Sequence, residues 1–415
     1  MPLKYGLSAA LLFICLTLGI DNATGQVTTG LDNLIAEQWA PLKGKHVGLI
    51  TNQTGVTRSG QPGAQAFAGS KALKLVALYG PEHGIFGDRK AGVTSDASER
   101  YEGVPVYSLY GSTRKPTKAI LKEVNALVFD IQDVGVRPYT FLSTMILAME
   151  AAAEQSIPFY VLDRPDPLSG DRIEGNILDN SLKSFVGQVP VPYIHGMTLG
   201  ELALMAKAKG WFNKAAKLKL TVIPMKGWKR SMYWTETGLT WTPPSPNVPR
   251  FENAVGLAML GATGELGLLS VGVGSDKQFL RVGSTLLAKE ELLGMVSASL
   301  PTALRLSSED FKAETSAGVK TYHGVGFDLP RELAKLTPLY QGQFTMLESM
   351  LHDTAFRASF DALPFSVNTM FEKVTGMHGL LDTLKRCKDL EPLFTQWKRD
   401  AEKFREERKP YLLYH

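Results

Sequence analysis

Five short apolar runs constrain this chain more than any other feature. Residues 46–50, 74–79, 126–129, 158–162 and 220–224 are rich in Val, Leu, Ile and Phe, and each stops at a polar, Gly- or Pro-bearing loop. Helical signals lie between them. The clearest covers 140–155, where Phe141, Met145, Ala148 and Ala152 share a face and an alanine run adds propensity. Another covers 198–209, where Thr198 and Glu201 have capping-box spacing. Shorter helices are expected over 32–41 and 116–123. Apolar strands alternating with helices predict an α/β fold: a Rossmann-like, doubly wound, mostly parallel sheet.

The pattern changes at residues 227–250. This stretch holds Trp228, Tyr233, Trp234 and Trp241, then Pro243-Pro244-Ser245-Pro246-Asn247-Val248-Pro249. It reads as a rigid crossover into a smaller α+β domain that opens with Gly-rich turns at 261–274 and closes with a charged helix at 392–409. The expected organisation is a signal peptide at 1–25, an N-terminal catalytic domain at 26–250 and a C-terminal domain at 251–415.

Composition narrows the function classes. The 415 residues are 44% hydrophobic and 21% charged, as in a globular chain with a sizeable core. A net charge of +4 with no basic cluster argues against nucleic acid as a partner. Lys4, the apolar stretch 6–20 and Ala23-Thr24-Gly25 form a secretory signal cut before Gln26, too short for stable membrane insertion. The expected location is therefore secreted or periplasmic. Ile14 precedes Cys15 where a lipoprotein signal would want a small residue, which argues against a lipid anchor. Cys387 is then the only mature cysteine, so no internal disulfide forms. The chain has no CxxC, HExxH, GxGxxG or GK[ST] pattern, so neither a metal nor any other cofactor is expected. A monomer or homodimer is expected.

In such sheets, ligands bind in the crevice beyond the carboxyl ends of the strands. Gly80-Pro81-Glu82-His83-Gly84 follows the second run, and residues 87–100 read as a long loop over the site. Glu82 suits a general acid, or a turn cap paired with Arg89; His83 suits substrate binding or a structural role. The third run ends in Asp130, Gln132 and Asp133, then Arg137 and Tyr139. Arg137 either holds an anionic substrate group or pairs with Asp133. Asp163 and Arg164 end the fourth run, as an ion pair or as ligand contacts. Glu174 is a second carboxylate of the kind glycosidic cleavage uses, and His195 precedes a capped helix. The tryptophans serve either the core or sugar stacking.

Together these segments resemble the exo-β-N-acetylmuramidase (NamZ) family, formerly a family of unknown function. The matching stretches are 44–55 (GKHVGLITNQTG), Pro81-Glu82-His83-Gly84, 129–139 (FDIQDVGVRPY), 161–165 (VLDRP), 195–201 (HGMTLGE) and 244–249 (PSPNVP). The resemblance implies an active-site cleft between the two domains. It also implies an exo-acting glycoside hydrolase that releases terminal N-acetylmuramic acid from peptidoglycan fragments. It places Glu82 and Glu174 as the catalytic pair. His83, Asp130, Gln132, Arg137, Tyr139, Asp163, Arg164, His195, Asn247 and Glu265 would bind substrate. One departure stands out. The family's C-terminal domain usually carries a segment like EGTNxSxGRGT, whereas residues 265–275 read ELGLLSVGVGS, keeping the glutamate but losing the Thr-Asn pair and the Arg. Lys277, Arg281 or Arg137 would have to replace that Arg. Altered sugar specificity, non-catalytic fragment binding and a different hydrolase chemistry are the alternatives.

Overall fold

The computed structural model describes residues 26–88, 99–386 and 389–415. The expected signal peptide at 1–25, Arg89 and most of the loop expected over the site, and Cys387 lie outside the described residues.

Strands β1 (His46–Thr51), β2 (Lys74–Gly80), β3 (Arg100–Tyr101), β4 (Val104–Ser108), β5 (Ala126–Asp130) and β6 (Phe159–Leu162) are followed by a short hairpin, β7 (Glu174–Ile177) and β8 (Pro192–Ile194), and by β9 (Leu220–Ile223). Among the described residues, seven of these form one sheet in the order β3-β4-β2-β1-β5-β6-β9, parallel except for β3 against β4. The chain steps from β1 outward through β2 and β4, then returns to the other side of β1 with β5. The reversal of strand order therefore falls between β1 and β5.

Strand periodicity sorts the side chains onto two faces. Val47, Leu49, Val128 and Leu162 pack with α1 (Gly30–Ala36) and α2 (Gly63–Gly69). Ile50, Tyr79, Leu127, Phe129 and Val161 pack with α3 (Thr140–Gln155) and α4 (Leu199–Lys209). Helix α3 has the bounds its apolar face predicts, and α4 begins at the predicted capping box of Thr198 and Glu201. Residues 116–123 are turns rather than a helix. Pro116 and Leu121 are the only buried side chains there, too few to offset the cost of nucleating a short helix.

The C-terminal part comprises α5 (Phe251–Gly264), β10 (Arg281–Ser284), α6 (Lys289–Ser299), β11 (Arg305–Thr315), β12 (Gly318–Asp328), α7 (Gly342–Met350) and further helices ending with Glu391–Arg408. Its sheet is antiparallel, β10-β12-β11. The expected Gly-rich turns at 261–274 begin instead inside α5. Gly256 serves close packing there: a Cβ would stand 2.1 Å from the Phe279 carbonyl oxygen. The C-terminal core takes in Val134, Val136, Tyr193 and Ile194 from the N-terminal part, so one continuous core spans both. The chain end returns as well: the Tyr414 hydroxyl donates to Asp163 at 2.6 Å and accepts from the Met225 amide at 3.0 Å.

Candidate active site

Glu82 sits in the turn that leaves β2, half-buried. The Thr140 hydroxyl, on the first residue of α3, donates to Glu82 Oε2 at 2.8 Å. The Tyr110 hydroxyl, just beyond β4, also hydrogen-bonds Glu82; burial and this carboxylate raise the pKa of Tyr110. Tyr139 adjoins the same group, with Glu82 and Asp133 both near its buried hydroxyl and Ser245 of the proline-rich crossover beside it. Three strand-end loops thus meet around one carboxyl group, and the crossover adjoins them through Tyr139. His83 holds φ +70° and Gly84 φ +77°, two successive left-handed residues. For histidine that conformation is strained, and such strain concentrates at functional sites. Sequence reasoning missed Thr140, Tyr110 and Ser245; the available signals were that Ser245 lies within the 244–249 motif and that Thr140 directly follows 129–139, while no motif marked Tyr110.

Several expected ligand contacts are framework instead. Arg137 is completely buried. Its guanidinium donates to the carbonyls of Asn176 (2.9 Å), Val191 (2.8 Å), Val374 (3.2 Å) and Thr375 (2.7 Å), which pins the helix Phe365–Thr375 to the N-terminal part. It touches neither Asp133 nor open solvent. Burial lowers its pKa to about 10, so it stays charged at neutral pH. Asp163 is equally buried and accepts from Thr198 Oγ1 (2.7 Å), the Gly200 amide (2.8 Å) and Tyr414. Burial raises its pKa to about 6. Asp130, fully buried, pairs with Arg164 at 2.6 Å. The expected Asp163–Arg164 pair is therefore replaced by Asp130–Arg164.

Glu174 does not join Glu82. One of its oxygens takes Arg172 at 2.5 Å, and the other accepts the Leu339 and Tyr340 amides at 2.6 and 2.9 Å. A carboxylate so occupied fastens β7 to the segment before α7 and is poorly placed to act as nucleophile or base. Arg281, the suggested replacement for the family Arg, is buried against Glu309 at 3.0 Å and Phe311.

His195 is also buried, and its Nδ1 accepts the Met197 amide at 3.2 Å. Burial, with Arg408 and Arg137, depresses its pKa to about 3. The imidazole is therefore neutral, and its approaches to Asp166 (3.8 Å) and Asp133 (4.0 Å) are not ion pairs. Burial raises Asp133 to about 7 and Asp166 to about 8. Glu265, at the end of α5, is exposed to solvent, and the protein atoms packed round its carboxyl raise its pKa. Asn247 lies half-buried in the crossover turn closed by the Val248 amide and the Ser245 carbonyl. Gln132 and Arg164 line a cavity of about 340 Å³ beside β1. Among the described residues, no group of three or more His, Cys, Asp or Glu side chains is placed to hold a metal ion.

Fold and site together define a two-domain α/β enzyme that presents a carboxyl group at the edge of a parallel sheet. The family description "Exo-beta-N-acetylmuramidase NamZ, N-terminal" matches residues 47–252, and its C-terminal counterpart matches 255–414. The chain belongs to this family. It is 38% identical to the peptidoglycan beta-N-acetylmuramidase NamZ of Bacillus subtilis over 400 residues, covering 94% of this chain and 92% of that one. Two solved DUF1343 family structures from Bacteroides fragilis superpose on it. One has a TM-score of 0.86 at 37% identity, the other 0.75 at 27%, and each covers 94% of this chain and 99% of its own.

Proposed function

We propose that this chain is a secreted or periplasmic exo-acting glycoside hydrolase that removes terminal N-acetylmuramic acid from non-reducing ends of peptidoglycan fragments. The observation that carries the reading is the near-complete match to a peptidoglycan muramidase, combined with Glu82 gripped by Thr140 and Tyr110 at a strained sheet-edge turn. In this reading Glu82 gives its proton to the glycosidic oxygen as the bond to the leaving sugar breaks. With both Glu174 oxygens engaged, the nucleophile is the substrate's own 2-acetamido oxygen, which closes onto the anomeric carbon. Water then opens that ring and returns a proton to Glu82. His83 sets the turn; Tyr139, Ser245 and Asn247 wall the site, and Glu265 meets the substrate from the C-terminal side.

Glu82→Gln keeps the shape and removes the acid. It should lower kcat on a MurNAc-terminated chromogenic substrate at least about 100-fold, the scale of general acid catalysis. Turnover within threefold of wild type would remove Glu82 from the mechanism. The altered segment 265–275 favours one second reading, a changed sugar preference. The matching GlcNAc-terminated substrate decides it: faster cleavage of that compound would replace muramic acid as the substrate.

A further inference from the structure

The reversal of strand order between β1 and β5 opens the 340 Å³ cavity on the α1 side of the sheet edge. Glu82 instead bonds to the start of α3, which covers the opposite face. A reversal of this kind is where open α/β sheets hold ligands, and the volume is in the range of small-molecule sites. Arg164 and Gln132 form part of the cavity lining, with Arg58, Ser59, Thr240 and Trp234.

The polar groups of this cavity are incompletely used. Arg164 is 6% exposed and spends Nε on Asp130 and one Nη on the Val56 carbonyl at 2.9 Å; its other Nη has no partner among the described residues. Gln132 is 3% exposed, and its Nε2 donates to the Asp133 and Pro165 carbonyls at 2.8 and 2.7 Å. That orientation leaves Oε1 a buried acceptor with no partner. Of the nearby carboxylates, Asp32 is committed to Thr29 and the Arg58 amide, and Asp130 gives Oδ1 to Arg164 while its Oδ2 stays buried without a partner. The Arg58 guanidinium has no carboxylate partner among the described residues. A buried acceptor left open carries a desolvation cost that a ligand donating to it removes, and the same lining offers the open Arg164 nitrogen as a donor.

We infer that this cavity is a second binding site, and that its ligand is a sugar acid. A hydroxyl donates to Gln132 Oε1, a ring or acyl oxygen accepts from Arg164, and a carboxylate reaches Arg58. The apolar face of the ring lies along Trp234. Choosing N-acetylmuramic acid among sugar acids rests on the function proposed above, whose reaction releases it.

The test is calorimetric titration of the full chain with N-acetylmuramic acid and with N-acetylglucosamine, which lacks the carboxylate. Thr240→Trp and Ser59→Trp place bulk at two exposed positions of the cavity lining. Wild type should show two sites, and each Trp variant one, with substrate turnover within twofold. Arg58→Ala and the uncharged sugar should each weaken the cavity site at least tenfold. Titrations of both Trp variants that superpose on wild type, or an Arg58→Ala variant that binds equally well, would overturn the inference. A wild type that saturates at the cavity but cleaves no muramyl substrate would sink the proposed function and leave this site standing.

Discussion

Arg137 separates a structural from a substrate-binding role most sharply, because the two make opposite predictions. Its guanidinium has four carbonyl acceptors at 2.7–3.2 Å and no exposure. Hydrogen bonds from a charged donor contribute roughly 1.5–3 kcal/mol each, so four give about 6–12 kcal/mol before the cost of burying the charge. That desolvation takes back several kcal/mol. Arg137→Met keeps the stem volume but strands the carbonyls, for a net loss of about 3–5 kcal/mol. At about 2 °C per kcal/mol for a chain of this size, Tm should fall by roughly 6–10 °C. Arg137→Lys should recover part of that, since an ammonium can reach some of the four but not all. Differential scanning fluorimetry gives Tm, and steady-state kinetics on the muramyl substrate at a temperature where the variant is folded gives KM. An unchanged Tm with KM raised tenfold or more would refute the reasoning and restore Arg137 as an anchor for an anionic group.

The remaining predictions concern the other buried charges. Glu174→Ala removes the carboxylate partner of Arg172 and strands two amides; chemical denaturation should show a loss of about 3 kcal/mol, with kcat within threefold, and a hundredfold kcat loss would return Glu174 to the catalytic pair. Asp166, with its pKa raised to about 8, holds a proton in the native state that the unfolded chain releases near pH 4. The native state therefore binds more protons between those values, and this group makes stability fall as pH rises from about 4 to 8, by about 1.4 kcal/mol per pH unit at most. Asp166→Asn keeps an oxygen for the Leu168 amide and removes the titration, so its Tm relative to wild type should climb between pH 6 and 9; a pH-independent difference would contradict the raised pKa. His195, depressed to about 3, acts with the opposite sign between about 3 and 6.5 and leaves that upper window undisturbed.

Local pattern was enough to read the strands of the parallel sheet, the capping box of α4 and the bounds of α3, because each depends on periodicity and capping within a few residues. It also placed Glu82 at a strand end. It placed the start of the Gly-rich turns at 261, whereas α5 runs on to Gly264 and the turns follow it, because a glycine in the last turn of a helix gives the same local signal as one in a loop. The motifs around 130–139 and 161–165 were found correctly as motifs but assigned to the ligand, when much of their polarity is spent inside the protein.

What the amino-acid order determined on its own was the five apolar strands of the parallel sheet, the long helices between them, and that an acid and a histidine stand at a sheet edge. What the tertiary structure alone decided was the use of each charge. Arg137 meets Val374 and Thr375 across more than two hundred residues, Asp163 meets Tyr414, and Glu174 meets Leu339 and Tyr340. A buried charge must find its partners wherever the fold brings them, and hydrophobic periodicity carries no record of that distance.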